Sequence, residues 1–145
     1  KVDHLAIMSK DLPWLKRIKC GTKTIESRWY NQKRKPWQAI AVGDRVFFKN
    51  TGESVKVLAQ VSHVVFYADL NSPEVADLLN QYGKQLGLLE AEKAAFFQKV
   101  ALRKFCVLVF LANVTEVAPF SINKKGFGSM SAWITTPDLY QLKKV

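Results

Sequence analysis

CGTKTIESRW, residues 20–29, places Lys23, Glu26 and Arg28 inside a stretch whose Thr and Ile favour an extended strand. Buried charge is costly unless paired, so such a strand either lies on an open edge or turns its charges toward something that needs them. The residues just before it look like the end of a helix. Leu12, Leu15 and Ile18 share one helical face, Asp11 is placed to cap it, Pro13 is tolerated in the first turn, and Gly21 can take the left-handed conformation that stops it. Lys16, Arg17 and Lys19 favour the carbonyl end of that helix. Before it, HLAIM (4–8) is a short apolar run suited to a buried strand.

After the quoted stretch, KRKPW (33–37) reads as a polar loop closed by Pro36. Gly43-Asp44 turns the chain into RVFFK, and NTG (50–52) makes a hairpin turn into a long strand. In that strand Val55, Val57, Ala59, Val61, Val65 and Tyr67 alternate to one side, and His63 among them reads as a core histidine. The period then changes. Val75, Leu78, Leu79 and Tyr82 mark a helix capped by Ser72, and Phe96, Phe97, Val100 and Ala101 mark another. FCVLVFLANV (105–114) is apolar on both faces and predicts a central strand. INKKGFGSMSAWI (122–134) is a glycine-punctuated loop into a last short strand, and PDLYQLKKV predicts a helical turn.

Strands cluster at both ends with helices between them, so the fold class is α+β: a strongly twisted or closed mixed sheet with helices packed outside. With 145 residues the chain fits one domain, 1–145. Cys20 and Cys106 are too few for a disulfide framework and read as buried thiols of a cytoplasmic protein. No apolar run reaches the ~18 residues of a membrane helix, and no leader pattern opens the chain. Neither a metal nor a cofactor is expected, since paired Cys or His spacings and a phosphate-cradling glycine loop are both missing.

Lysine and arginine total 22 against 12 acidic residues, a formal net charge of +10 that attracts polyanions. The cations interleave with aromatic rings in KTIESRWYNQKRKPW, where Trp29, Tyr30 and Trp37 bracket Lys33, Arg34 and Lys35. That mixture suits single-stranded nucleic acid, because cations meet phosphate while rings stack on bases. Along an ideal strand Glu26 and Arg28 project to one side, and Lys23 joins them only if it still belongs to the turn after Gly21. A carboxylate there would hold a cation in a fixed pose or accept from the exocyclic amine of a base.

Gly21, Lys23, Glu26 and Arg28 fall on each fixed position of the G-x-K-x-x-E-x-R signature of the ASCH domains, relatives of the PUA RNA-binding fold. The order of elements around them, through PWQAIAVGDRVFFK, also resembles that family over roughly the first 70 residues. The resemblance implies a small PUA-like mixed β-barrel with flanking helices and a cleft lined by Lys23, Glu26 and Arg28. It also implies RNA, a nucleotide or a nucleoside as partner. Trp29, Trp37, Lys33, Arg34 and Lys35 complete the expected ligand-binding set, with Lys124 and Lys125 as a further edge. Some members hydrolyse the acyl amide of N4-acetylcytidine with a lysine at the Lys23 position, a threonine three residues later and a downstream glutamate. Here Glu26 stands at the threonine position and Glu74 lies at a suitable distance downstream, so the candidate catalytic set is Lys23, Glu26 and Glu74. Other relatives have been proposed as ribonucleases. A third reading is a protein-interaction module presenting the helices around 74–101.

Overall fold

In the computed structural model, which describes residues 1–128 and 130–145, the chain opens with β1 (Asp3–Met8), buried along its whole length. Helix α1 (Trp14–Cys20) follows and buries Trp14, Leu15 and Ile18. It starts after Pro13, whose ψ of 58° is not helical, so Asp11 does not cap it. The Asp11 carboxylate instead accepts from the Leu12 amide, the Trp14 indole and Lys99. Gly21, at φ 86°, ends the helix as expected. Cys20 is exposed, contrary to expectation, because it lies two residues past Ile18 on a helix that buries the opposite face. Cys106 is buried.

The remaining strands are β2 (Ile25–Tyr30), β3 (Arg45–Asn50), β4 (Val55–Tyr67), β5 (Phe105–Phe120) and β6 (Trp133–Thr136). They form a single mixed sheet in the order β2-β5-β4-β3-β1-β6, with β1 and β3 parallel and the other neighbours antiparallel. β5 is interior, as its two apolar faces require. The sheet curls into a half-barrel rather than closing, which leaves β2 and β6 as its outer strands. Ser129, within the predicted INKKGFGSMSAWI loop, lies outside the described residues.

Helices α2 (Ser72–Tyr82) and α3 (Lys93–Val100) connect β4 to β5. Asn71, rather than Ser72, caps α2: its side chain accepts from the Glu74 amide while the Glu74 carboxylate accepts from the Asn71 amide. Val75, Leu78, Leu79 and Val100 face the main core with Ile18, Phe48 and Val107. Among the described residues no helix is long and apolar enough to cross a membrane.

The β4–β5 pairing carries register shifts, one of them between Val61 and His63. The alternation breaks there, and His63 is exposed against Phe110 rather than in the core. The buried histidine is His4, fully enclosed between β3 and β6. Its Nδ1 accepts from the Trp133 indole at 3.1 Å, so Nε2 carries the proton and donates to Asp44 at 2.9 Å. Burial outweighs the pull of Asp44 and holds the His4 pKa below its ordinary 6.5. Burial also works to raise Asp44, but His4 and the amides of Ala41 and Val2 bring it below the ordinary carboxylate value.

Both groups are depressed in the folded state, so both contribute stability that is lost on acidification. Stability should hold above pH 6.5, decline as the unfolded histidine takes up its proton first, and decline again through the carboxylate range. Urea denaturation across pH checks this: His4→Gln should remove the first decline, keep the second, and cost about 1–3 kcal/mol at neutral pH.

Candidate functional site

The chain leaves α1 through the left-handed Gly21 and remains in a turn until Thr24, which frees Lys23 from strand alternation. Its side chain swings to the side of Glu26 and Arg28, and all three are largely buried at one outer edge of the sheet. Lys23 Nζ donates to the Ile25 carbonyl at 2.8 Å and the Leu86 carbonyl at 2.9 Å, and lies 3.2 Å from Glu26 Oε1. Those are three acceptors for the three protons of an ammonium. Arg28 Nε donates to Glu26 Oε2 at 2.7 Å. Each carboxylate oxygen therefore faces its own cation.

Arg28 reaches further than its motif implies. Its terminal nitrogens donate to the Ala132 carbonyl at 3.2 Å and the Ile7 carbonyl at 3.3 Å, and its guanidinium lies over the Trp133 ring. Ile7 is in β1 and Ala132 immediately precedes β6, so a side chain from one outer strand fastens the opposite end of the sheet. Arg17 makes a second fastening, a bidentate pair with Glu92 plus a bond to the Gly87 carbonyl. That holds residues 87–92 against Lys23. Gly87, at φ 81°, has no space for a side chain: a Cβ there would sit 2.7 Å from the Lys23 Cβ.

Burial would raise the Glu26 carboxyl, but Lys23 and Arg28 outweigh it and hold the group below the ordinary carboxylate range. Burial is the larger influence on Lys23 and lowers its ammonium below the ordinary lysine value against the attraction of Glu26. Burial likewise raises the Tyr30 phenol.

Above this floor opens a cavity of about 310 Å³. Trp14, Trp29, Tyr30 and Phe96 supply aromatic walls, and Lys99 and Arg103 bring cations to the lining. Lys23, Glu26, Arg28 and Trp29 thus meet where the sequence predicts. Lys33, Arg34, Lys35, Trp37, Glu74, Lys124 and Lys125 do not line the cavity. Glu74 is committed to the α2 cap. Trp37 is wedged edge-on between Phe66 and Phe105. Lys124 donates to the Ser131 carbonyl. Sequence reading missed Phe96, Lys99 and Arg103, which reach the cavity only through the packing of α3 and its exit turn. The helical signal of α3 was visible, but not which wall it would form.

Removing Glu26 leaves two cations buried without their counter-charge. Glu26→Leu should cost about 3–5 kcal/mol in urea denaturation, and adding Lys23→Met should recover part of the loss, giving a clearly non-additive cycle. Gly87→Ala should cost about 1–3 kcal/mol from backbone strain and the clash with Lys23.

No family model and no curated protein matches this chain. Solved structures do. The chain is similar to ASCH from Zymomonas mobilis at 18% identity with a TM-score of 0.66, covering 98% of this chain and 96% of that one. A tyrosine-to-phenylalanine variant of that protein aligns at 17% identity and a TM-score of 0.67, covering 99% and 100%. A serine-to-alanine variant aligns at 18% and 0.66. With the curled mixed sheet, its three helices and near-complete coverage of both chains, this chain has the ASCH-domain fold.

Proposed function

We propose that the cleft binds RNA through a single base or nucleotide held over the Lys23–Glu26–Arg28 floor. The observation that carries this is one cavity combining aromatic walls, a fixed ionic floor and cations in its lining. Its size lies at the lower end of small-ligand pockets, roughly 300–1,000 Å³. Trp29 and Phe96 meet edge to face with centroids 6.4 Å apart, so a flat base stacks on one ring of the wall, such as Trp29, rather than between two. Stacking on an aromatic side chain is worth about 1–3 kcal/mol per base. Arg103 is suited to a phosphate, whereas Lys99 is already paired with Asp11, and the net charge of +10 draws a polyanion toward the cavity. The ASCH-domain fold, in a family associated with RNA binding, supports the same reading.

Amide hydrolysis draws little support from this geometry, although burial lowers Lys23 in the direction a general base requires. A general base needs a free lone pair, whereas the protons of Lys23 already meet Ile25, Leu86 and Glu26. Glu74 lies outside the cavity lining. A protein-interaction role for the helices draws none, since the apolar face of α2 is buried in the core and Phe96 of α3 lines the cavity.

Titration of fluorescent single-stranded RNA at several salt concentrations tests the proposal. The logarithm of the association constant should fall linearly with the logarithm of salt, by about 0.7 for each phosphate contact. Trp29→Ala, with folding checked by circular dichroism, should weaken binding about 5- to 150-fold, the equivalent of one lost stacked base. Binding that ignores both salt and Trp29 would defeat the proposal. Incubation with N4-acetylcytidine should release no acetate above a Lys23→Ala control.

A further inference from the structure

The cations of the β2–β3 loop lie outside the cavity, yet the fold ties that loop directly to it. Tyr30 lines the cavity with its ring, and its hydroxyl donates to the Lys35 carbonyl at 2.9 Å. In the orientation that pairs both ends of its amide, Asn31 donates to the Leu102 carbonyl at 3.2 Å and accepts from Arg103 at 3.1 Å. The Lys104 amide donates to the Tyr30 carbonyl at 3.0 Å. Trp37, at the far end of the loop, packs on Phe105, the residue after Lys104, with centroids 5.2 Å apart. Pro36 is buried beside it.

Two segments about seventy residues apart in sequence thus form one basic surface: Lys33, Arg34 and Lys35 beside Arg103 and Lys104. Lys33, Arg34, Lys35 and Lys104 are exposed, and among the described residues none of the five enters an ion pair. Elsewhere many cations are paired, as Lys10 is with Glu53, Lys19 with Glu116 and Lys99 with Asp11. Arg103 belongs to both the cavity lining and this surface. Unpaired cations that continue from a cavity, on a loop anchored by a buried proline and a wedged tryptophan, are suited to successive phosphates rather than to one isolated anion.

We infer that a single-stranded RNA leaves the cleft past Arg103 and runs its phosphates over Lys104 and the Lys33–Lys35 loop, so that the ligand is an oligonucleotide and not a free nucleoside. This rests on the cleft reading above and adds to it a path for the neighbouring nucleotides. It also assigns Trp37 a role other than stacking: it anchors the loop that carries the path.

The test compares two probes, a nucleoside 5′-monophosphate and an eight-nucleotide single-stranded RNA, on the wild-type protein and on the Lys33→Ala/Arg34→Ala/Lys35→Ala/Lys104→Ala variant. All four substitutions are at exposed positions, and thermal melting confirms that the variant folds. The wild type should bind the octamer at least tenfold more tightly than the mononucleotide. The variant should lose that advantage, and its salt slope should become shallower by about 0.7 for each phosphate contact removed, while mononucleotide affinity stays unchanged. An octamer advantage and slope that survive in the variant overturn the path and leave the cleft reading standing. A mononucleotide that fails to bind while the octamer still depends on the four cations overturns the cleft reading, and with it a path that starts in the cleft, and leaves the four cations as a phosphate surface on their own. Failure of both probes on the wild type overturns both.

Discussion

The structure depends on a buried chain of charges that fastens the open side of the half-barrel. Backbone pairing runs through the sheet from β2 to β6 but does not join its ends. Arg28 bridges that gap by donating to carbonyls of Ile7 and Ala132. A guanidinium in this position needs an anion, and Glu26 supplies it; Glu26, itself buried, is neutralised further by Lys23. Lys23 is then satisfied by Ile25 and Leu86, so the chain of charge ends on backbone oxygens. Each member is tolerable only because the next is present, since removing one partner of a buried set leaves the other desolvated and unpaired.

Under the proposed function the same residues serve both structure and binding. The floor of the cavity is fixed before any ligand arrives, because its hydrogen bonds are already made within the protein. A fixed ionic surface loses little order when a ligand settles on it, which favours affinity through preorganisation. In that reading adaptable contacts are left to Arg103 and to the aromatic walls. The carboxylate of Glu26 is held ionised by the two cations that it orders, so Glu26 keeps its negative charge through the neutral range.

Much of this was legible in local sequence. The helix stop at Gly21, the strand that follows and the interior position of FCVLVFLANV follow from short-range pattern, whereas the convergence of Lys23 with Glu26 and Arg28 followed only from the ASCH resemblance, since strand alternation alone separates them. The parts that were not legible depend on long-range register. Tyr30 pairs opposite Phe105, and that alignment brings Arg103 to the cavity and Lys104 to the basic loop. A bulge after Val61 turns His63 outward, and no local residue announces it. His4 becomes the structural histidine because β3 and β6 enclose it, a fact of topology. Asn71 outcompetes Ser72 for the cap because the box with Glu74 satisfies two amides at once, which also removes Glu74 from any part in the cleft.

In the proposed function the nucleotide sits over the charged floor against the tryptophans of the cavity wall, and the chain carries four tryptophans that report on it separately. Indole N–H signals in a proton–nitrogen correlation spectrum, followed during titration with a nucleoside 5′-monophosphate, test this most directly. Trp14 and Trp29, in the cavity wall, should shift saturably with the ligand while Trp37 stays in place. Saturable shifts at Trp37 with Trp14 and Trp29 unmoved would contradict it.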